Sequence, residues 1–207
     1  MDDLDKIYRE TPPENIPWNI TEPPQMLVEM VELGTIRPCR AIDLGCGLGN
    51  YSIWLAQQGF EMTGVDISSS AIAKAEKNAS DRGVKVDFIA ADLTAGTGMA
   101  GGFAFAFDWE VLHHIYPASR IMYIENVRRL LNPGGKYLSV CFSEKDPFFG
   151  GSGKYRTTPI GTRLYFSSEE EMKKLFCRSF RILELGTRAI HGRQGDHLCI
   201  TGFMEKI

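Results

Sequence analysis

Residues 41–50 read Ala-Ile-Asp-Leu-Gly-Cys-Gly-Leu-Gly-Asn, and this stretch decides the fold more than any other. A short apolar run leads through Asp43 into a loop with a glycine at every second position, and helical spacing follows over residues 51–56. Strand, glycine turn and helix form the first half of a nucleotide-binding βαβ unit. Glycines allow a sharp turn and a close approach of ligand to main chain. The start of the helix offers N–H groups to an anion.

The spacing of the glycines indicates which of two kinds of ligand the loop binds. A dinucleotide site favours G-x-G-x-x-G, whose third glycine would stand where this chain has Asn50. Asp43 precedes the first glycine, and its carboxylate would repel a pyrophosphate but attract the ammonium of a methionine moiety. The loop resembles the D-x-G-x-G-x-G loop of class I S-adenosylmethionine-dependent methyltransferases. The resemblance implies S-adenosylmethionine as the cofactor, bound in part by Asp43, Gly45, Cys46, Gly47 and Gly49.

Length and composition are those of one ordinary globular domain, which we expect to span residues 1–207. The net charge is −3 and no run of Lys and Arg exceeds two residues, which disfavours a nucleic-acid partner. The chain starts with acidic residues and has no apolar run of membrane-spanning length, so we expect a cytoplasmic protein without a membrane span. The 5 scattered cysteines favour buried thiols over disulfides or a metal site.

Strand and helix signals alternate along most of the chain. After an irregular start over residues 1–20, a helix is predicted over 21–34. Five strand–helix alternations argue for a parallel sheet with helices on both faces. The predicted strands are 40–44, 60–65, 85–89, 103–107 and 136–142, and the predicted helices between them are about 50–58, 68–83 and 117–131.

The last segment breaks this alternation. A helix capped by Ser167 or Ser168 precedes two strand-like runs, 180–188 and 196–204, which are joined by Gly192-Arg193-Gln194-Gly195. So short a turn permits an antiparallel hairpin and forbids a parallel crossover. The fold class predicted is therefore α/β, a Rossmann-like sheet that resembles the seven-stranded methyltransferase sheet, mostly parallel with a terminal antiparallel hairpin.

Two further carboxylates follow the next strands. Asp66 ends the second strand, where a carboxylate can accept hydrogen bonds from both ribose hydroxyls, although it could instead cap the next helix. By resemblance, Ile67 lies against the adenine, or else simply packs in the core. Asp92 matches the family position that accepts from the adenine amino group, the alternative being a solvated loop residue. Its neighbours Ala91 and Leu93 complete this part of the predicted cofactor site.

The segment after the fourth strand resembles that of many small-molecule methyltransferases, and it ends in Val-Leu-His-His-Ile. The resemblance places Asp108 and Trp109 beside the methyl-transfer centre. The candidate bases are His113 and His114, which titrate near neutrality, although at least one of two adjacent residues has to face away from the pocket. The family often has an acid where this chain has Ala104.

Two peripheral segments are predicted to cover the site. Residues 1–35 include Ile-Pro-Trp-Asn before a helix, which resembles the cofactor-covering segment of thiopurine- and tellurite-detoxifying methyltransferases. There Trp18 either covers the sulfonium or packs on the first helix. Residues 143–166 are predicted to be a substrate lid. Its Arg156 and Arg163 either bind an anionic acceptor or are surface charges.

The function predicted first is methyl transfer from S-adenosylmethionine to a small-molecule acceptor, by a monomer or homodimer that needs no metal. A methyltransferase acting on protein or nucleic acid is an alternative, but the run Asn/Asp-Pro-Pro-Tyr/Phe of many such enzymes is replaced by Asp-Trp-Glu-Val at residues 108–111. A non-catalytic cofactor-binding protein is a third possibility. An NAD-dependent oxidoreductase is disfavoured by Asn50 and the terminal hairpin.

Overall fold

A computed structural model describes residues 2–95, 98–150, 153–193 and 195–207. The chain divides into two compact units, one ending at Asp92 and the other running from Leu93 to Ile207. No helix within the described ranges has the length and apolarity needed to cross a membrane.

The first unit is built around three parallel strands, with β1 pairing with β2 and β2 with β3. Four of the five residues of β1 are buried, as its apolar sequence predicts. Ser68 caps α4 by accepting a hydrogen bond from the Ala71 N–H, 3.0 Å away. The elements of this unit are α1 (Asp2–Glu10), a 3₁₀ turn (Pro13–Asn15), α2 (Gln25–Glu32), β1 (Arg40–Leu44), α3 (Asn50–Gln57), β2 (Glu61–Asp66), α4 (Ser69–Asp81) and β3 (Asp87–Ala90).

The prediction that residues 1–20 are irregular is wrong over α1. Leu4, Ile7 and Tyr8 recur at helical spacing in this polar segment, and the Tyr8 side chain is buried. The start of the following helix is also later than predicted, at Gln25, where Pro24 serves as the N-cap with an extended backbone. Two consecutive prolines hold the preceding residues out of helical geometry.

The second unit combines one parallel pair, β4 with β5, and two antiparallel pairs, β5 with β9 and β9 with β8. Gln194, in the predicted hairpin turn, lies outside the described residues. The elements are β4 (Phe103–Trp109), α5 (Pro117–Leu130), β5 (Leu131–Phe142), β6 (Tyr155–Thr157), β7 (Arg163–Tyr165), α6 (Glu169–Phe176), β8 (Phe180–Gly192) and β9 (Gly195–Lys206).

Two features of this unit differ from the prediction. β5 begins at Leu131 and not at the predicted residue 136. Residues 132–135 therefore belong to the strand, where the pairing register with β4 shifts between Phe103 and Phe105. Within the predicted lid, β6 and β7 form a two-stranded antiparallel sheet. Three-residue strands are too short for an alternating pattern to reveal them.

The fold class is confirmed. The strand order is β3-β2-β1 in the first unit and β4-β5-β9-β8 in the second, mostly parallel and ending in the antiparallel hairpin of β8 and β9.

Helix α6 begins with a capping box that also anchors the lid. Ser168 accepts from the Glu171 N–H, and the Glu171 carboxylate accepts from the Ser168 N–H at 2.8 Å. The same carboxylate binds the Tyr165 hydroxyl and the Lys154 ammonium, at 2.7 and 2.6 Å. Although burial acts to raise it, these contacts lower the pKa of Glu171 to about 2.

We predict that Ser168→Ala lowers the free energy of unfolding by about 1 kcal/mol, since the Glu171 N–H in the first turn of α6 loses its acceptor. For a chain of this length, the melting temperature falls by roughly 2–4 °C, measured by calorimetry. Ser119→Ala, at an exposed position of α5, is the control and leaves the melting temperature unchanged or slightly raised. Equal losses in both variants would contradict the role of the capping box.

Candidate functional site

The glycine turn after β1 has the left-handed backbone that its alternating glycines predict. Gly45, Gly47 and Gly49 have φ of +82°, +52° and +76°. Such angles disfavour any residue with a Cβ. The N–H groups of Gly45 and Cys46 both donate to the Val65 carbonyl, at 2.7 and 2.9 Å, which fixes the turn against the end of β2.

Close packing adds a second reason for glycine. A Cβ at Gly49 would lie 2.6 Å from the Phe88 ring, and one at Gly64 would meet the same ring at the same distance. A Cβ at Gly47 would lie 3.0 Å from the Tyr8 hydroxyl. The turn is therefore crowded on the side of Phe88 and approached closely by Tyr8.

Asp66, the predicted ribose ligand, is buried and held by main-chain donors. Its Oδ2 accepts from the Gly47 N–H at 2.8 Å and its Oδ1 from the Ser68 N–H at 2.9 Å. Burial raises the pKa of this carboxyl, against the lowering effect of these hydrogen bonds. The Ile67 N–H is a third main-chain donor, so three of the four lone pairs of the carboxylate are engaged and one stays available for a further donor.

Asp43 is also buried, with its Oδ2 2.7 Å from the Ser52 hydroxyl that donates to it. This contact ties the end of β1 to the first turn of α3. Asn50 stands where a dinucleotide site has its third glycine. Its amide donates to the Asn19 side chain at 2.7 Å and to the Ile20 carbonyl at 3.1 Å. Asn50, which disfavours a dinucleotide site, thus joins the N-terminal segment to the start of α3.

The N-terminal segment is fastened over the glycine turn by α1. Asp5 accepts from the Ser68 hydroxyl at 2.7 Å and from the Ser70 N–H at 3.0 Å, and these hydrogen bonds lower its pKa. The Lys74 ammonium donates to the Tyr8 carbonyl. α1 is therefore fixed at the start of α4, where exposed N–H groups favour an acidic side chain.

Tyr8 and Trp18 form the inner surface of this segment. The Trp18 indole N–H donates to the Tyr8 hydroxyl at 2.9 Å, and the rings meet edge to face with centroids 6.1 Å apart. Burial raises the pKa of Tyr8, and the charges of Asp66 and Asp43 act in the same direction. The neutral phenol is thus close to both carboxylates predicted to bind the cofactor.

The residues predicted around the adenine lie at the ends of β2 and β3. Ile67 is 38% exposed, although its side chain is apolar, and it directly follows Asp66. The Ala91 N–H donates to the Asp66 carbonyl at 2.9 Å, which places Ala91 and Asp92 next to that strand end. Asp92 is partly buried and Leu93, the first residue of the second unit, is buried.

In the second unit, Asp108 is fully buried beneath three hydroxyl groups. Ser139 donates to its Oδ1 at 2.8 Å, and Tyr123 and Tyr137 both donate to its Oδ2. Burial raises the pKa of Asp108 to about 6, against the lowering effect of these donors. The contacts give this carboxylate a structural role in joining β4, α5 and β5. The neighbouring Trp109 is partly exposed.

His113 and His114 differ in their surroundings. The His113 ring stacks on Phe142, with centroids 4.1 Å apart and planes 4° from parallel, and its Nδ1 is buried without a hydrogen-bond partner among the described residues. Burial holds the pKa of His113 well below its usual range and lowers that of His114 to about 4. Both imidazoles are therefore neutral and weakly basic near pH 7.

Sequence reasoning missed Glu110, which follows β4. Its φ of +64° is rare for a residue with a side chain, and its N–H donates to the Val140 carbonyl at 2.8 Å. Burial raises the pKa of Glu110 to about 7, and the negative charge of Asp146 acts in the same direction. No spacing rule identifies such a residue, because its backbone angle and its carboxylate neighbour depend on the tertiary structure.

An aromatic cluster surrounds His197 on β9. Phe148 and Phe142 lie with ring centroids 4.3 and 4.9 Å from the His197 ring, and Phe149 lies 5.8 Å away. Phe166 stacks on Phe142 at 5.3 Å. We call Phe142, Phe148, Phe149, Phe166, His113 and His197 the aromatic cluster.

The lid segment is held by Asp146 and Arg156. The Asp146 side chain is fully buried and accepts from the N–H groups of Phe148 and Leu198, at 2.8 and 2.5 Å. The buried Arg156 guanidinium donates to the carbonyls of Glu144, Asp146, Phe148 and Gly153 and lies 4.0 Å from the Phe166 ring centroid. Arg156 is therefore neither a ligand for an anionic acceptor nor a surface charge, because its N–H groups donate to the main chain of the lid. Residues 151–152 of the predicted lid lie outside the described residues.

Comparison with known proteins finds a family match over part of the chain. Residues 41–135 match the family described as "Methyltransferase domain". The chain is 29% identical over 149 residues to the 2-heptyl-1-hydroxyquinolin-4(1H)-one methyltransferase of Mycobacteroides abscessus, an alignment that covers 70% of this chain and 65% of that protein. It is 27% identical over 128 residues to probable thiol methyltransferase 2 of Arabidopsis thaliana, covering 61% of this chain and 56% of that protein.

The chain thus spans less than two thirds of the length of these curated relatives. A solved structure from work on the conversion of a disulfide bond into a thioacetal group during echinomycin biosynthesis has a TM-score of 0.83 at 22% identity. The superposition covers 99% of this chain and 91% of that one. At this identity the likeness supports the fold.

We predict that Gly49→Ala lowers the free energy of unfolding by roughly 2–5 kcal/mol, because left-handed strain and a collision with Phe88 add together. Gly83→Ala is the matched control, since Gly83 has φ of +64° but nothing within 4 Å of the added Cβ. That variant loses roughly 1–2 kcal/mol. Chemical denaturation measures both, and equal losses would contradict the packing of the turn against Phe88.

Proposed function

Because the chain belongs to the class I S-adenosylmethionine-dependent methyltransferases, we propose that it transfers a methyl group from S-adenosylmethionine to a small-molecule acceptor. The observation that carries this proposal is the glycine turn with Asp66 fixed against it. The turn carries no Cβ at Gly45, Gly47 or Gly49, and the Asp66 carboxylate, held by main-chain N–H groups, keeps acceptor capacity for a further donor.

The proposed cofactor contacts fit the chemistry of each part of the molecule. The negative charge of Asp43 attracts the ammonium of the methionine moiety, and the glycine turn with Cys46 lies along that moiety. Asp66 accepts from the ribose hydroxyls. Ile67 packs on the adenine, and Asp92 accepts from the adenine amino group between Ala91 and Leu93.

The N-terminal segment is proposed to exclude water from this site. Tyr8 and Trp18 hold each other over the turn, and Asn50 and Asp5 fasten the segment at two separate points. Water excluded from around a charged ligand strengthens its attraction to the carboxylates. Asp108 has a structural role in this proposal, and Trp109 borders the methyl-transfer centre.

When bound, S-adenosylmethionine supplies an electrophilic methyl group on a positively charged sulfur. The work of the protein is then to hold the nucleophile in line with that methyl, and positioning of this kind supplies up to ~7–11 kcal/mol of barrier lowering. In the second unit, the aromatic cluster and the ordered lid provide walls of apolar and aromatic character, suited to a small aromatic acceptor.

The relatives support the class of acceptor. One is named for a hydroxyquinolone and the other for a thiol, both small molecules. The expected cytoplasmic location, the single domain and the monomeric or homodimeric state stay predictions.

The cofactor is tested by thermal shift with S-adenosylhomocysteine and with NAD. We predict that S-adenosylhomocysteine at 100 times its dissociation constant stabilises the protein by about 2.7 kcal/mol, a rise of roughly 5–10 °C, and that NAD gives none. Asp66→Asn weakens binding roughly 30-fold, because an amide cannot accept from two ribose hydroxyls and two main-chain N–H groups together.

Asp81→Asn is the control, since Asp81 is exposed on α4 and pairs with Lys77 one turn away. We expect Asp81→Asn to bind S-adenosylhomocysteine with the affinity of the unaltered protein. A larger shift with NAD than with S-adenosylhomocysteine, or full affinity in Asp66→Asn, would contradict the assignment.

A further inference from the structure

A basic cleft lies in the second unit, at the end of β4 away from Trp109. It has a volume of about 630 Å³, and its lining includes four basic residues, Arg128, Arg129, Arg178 and Lys206. The Lys206 ammonium donates to the carbonyl of Leu131, which pairs with Phe103 at the start of β4. Trp109 is the last residue of that strand, and strand geometry places the two ends roughly 20 Å apart. Within this unit, the cleft is therefore distinct from the residues proposed to border methyl transfer.

Three segments of the chain bring these basic side chains together. Arg128 and Arg129 are in the last turn of α5. Arg178 lies between α6 and β8, and Lys206 ends β9 opposite Phe180, the first residue of β8. The negative end of a helix dipole stabilises arginines in the last turn of α5. It does not explain why the other two segments place a positive charge at the same position.

The cleft has little negative charge to match these cations. Glu125 is the acidic residue among those that line it. In the described ranges of the chain, Arg128, Arg178 and Lys206 form no ion pair with a carboxylate. Glu125 lies on the same helix as Arg128, but it too forms no ion pair with a described residue. The positive charges are therefore available to an anion from outside.

The surroundings of Lys206 show the same excess of positive charge. The preceding residue, Glu205, is already paired with Lys136 and with Arg181. Burial lowers the pKa of Lys206, and the positive charge of Arg128 acts in the same direction. Because like charges repel at short range, a bound anion would stabilise this arrangement.

A buried hydroxyl group at the cleft is a second, independent observation. Ser179 lines the cleft and is 7% exposed. Its N–H donates to the Phe176 carbonyl at 3.0 Å, whereas its hydroxyl makes no hydrogen bond to another described residue. Buried side-chain hydroxyls normally have a hydrogen-bond partner. A hydroxyl of this kind, next to Arg178, indicates a ligand that accepts hydrogen bonds.

We propose that the basic cleft binds the phosphate or pyrophosphate group of a small organic molecule. Guanidinium groups bind phosphate oxygens through paired hydrogen bonds, and the Ser179 hydroxyl and the Lys206 ammonium add further donors. Ile207, which is 66% exposed, supplies apolar surface for the organic part of the molecule. This inference goes beyond the proposed function and does not depend on it.

The dimensions of the cleft and the charge of the chain favour a small molecule over a nucleic acid. The volume lies within the range of small-molecule sites, roughly 300–1,000 Å³. The net charge of the chain is −3, and no run of Lys and Arg exceeds two residues. A nucleic-acid backbone binds to a more extended positive surface, because many phosphates contribute to its affinity.

The test is a calorimetric titration of the full chain with inorganic pyrophosphate at about 0.15 M salt. We expect one site per chain. Arg178→Gln and Ser179→Ala are each expected to weaken binding roughly tenfold, because each removes a hydrogen bond to a charged group. Arg181→Gln is the matched control, since Arg181 is an exposed arginine of β8 that pairs with Glu205. It is expected to bind pyrophosphate with the affinity of the unaltered protein.

Three results would overturn the proposal. The first is no measurable binding at millimolar pyrophosphate. The second is equal weakening in Arg178→Gln and Arg181→Gln, since attraction would then depend on net charge alone. Because Arg178 is exposed, Arg178→Gln is expected to fold normally, which circular dichroism checks. The third is tighter binding of a thymidine oligonucleotide of about 12 nucleotides that Arg178→Gln abolishes, which would identify a nucleic-acid surface instead.

Competition with S-adenosylhomocysteine separates this inference from the proposed function. An excess of S-adenosylhomocysteine is expected to leave the affinity for pyrophosphate unchanged. If the two compete, pyrophosphate binds at the glycine turn, so the inference fails and the proposed function stands. If S-adenosylhomocysteine does not bind but pyrophosphate binding depends on Arg178 and Ser179, the proposed function fails and the inference stands.

Discussion

The hydrogen bond from the Gly47 N–H to the Asp66 carboxylate, 2.8 Å long, is the contact on which the proposed cofactor site depends. It joins the turn after β1 to the end of β2, and it exists because Gly47 has a left-handed backbone that a residue with a Cβ would resist. The same carboxylate accepts from Ser68 at the start of α4. One buried charge therefore fixes the turn, the strand end and the helix start in a single geometry. A buried carboxylate is stable only when it is hydrogen-bonded in this way.

The N-terminal segment builds on that contact. Asp5 binds Ser68 and Ser70 near the residue that Asp66 holds, and Tyr8 lies over Gly47. Covering the turn brings the Tyr8 phenol close to two carboxylates, and burial together with their charges keeps that phenol neutral. The second unit uses burial differently. There, burial raises the pKa of Asp108 under three hydroxyls and that of Glu110 beside Asp146.

The sequence predicted those parts that depend on local chemistry. The glycine turn, the strand-end carboxylates Asp43 and Asp66, and the short turn of the terminal hairpin each follow from backbone freedom or strand pairing between near neighbours. The parts it missed depend on distant residues. Helix α1 is polar and is anchored by contacts with residues more than 60 positions later. The raised pKa of Glu110 comes from burial and from the charge of Asp146, and a linear pattern predicts neither. The histidines were favoured as bases because their ordinary pKa lies near neutrality, and burial removes that advantage.

A crystal structure with S-adenosylhomocysteine tests most directly whether the turn and Asp66 bind the ribose end of S-adenosylmethionine. We expect both ribose hydroxyls within hydrogen-bonding distance of the Asp66 carboxylate, the amino-acid moiety along Gly45–Gly49, and the adenine against Ile67. A ligand bound elsewhere, or a ribose whose hydroxyls do not contact Asp66, would contradict it.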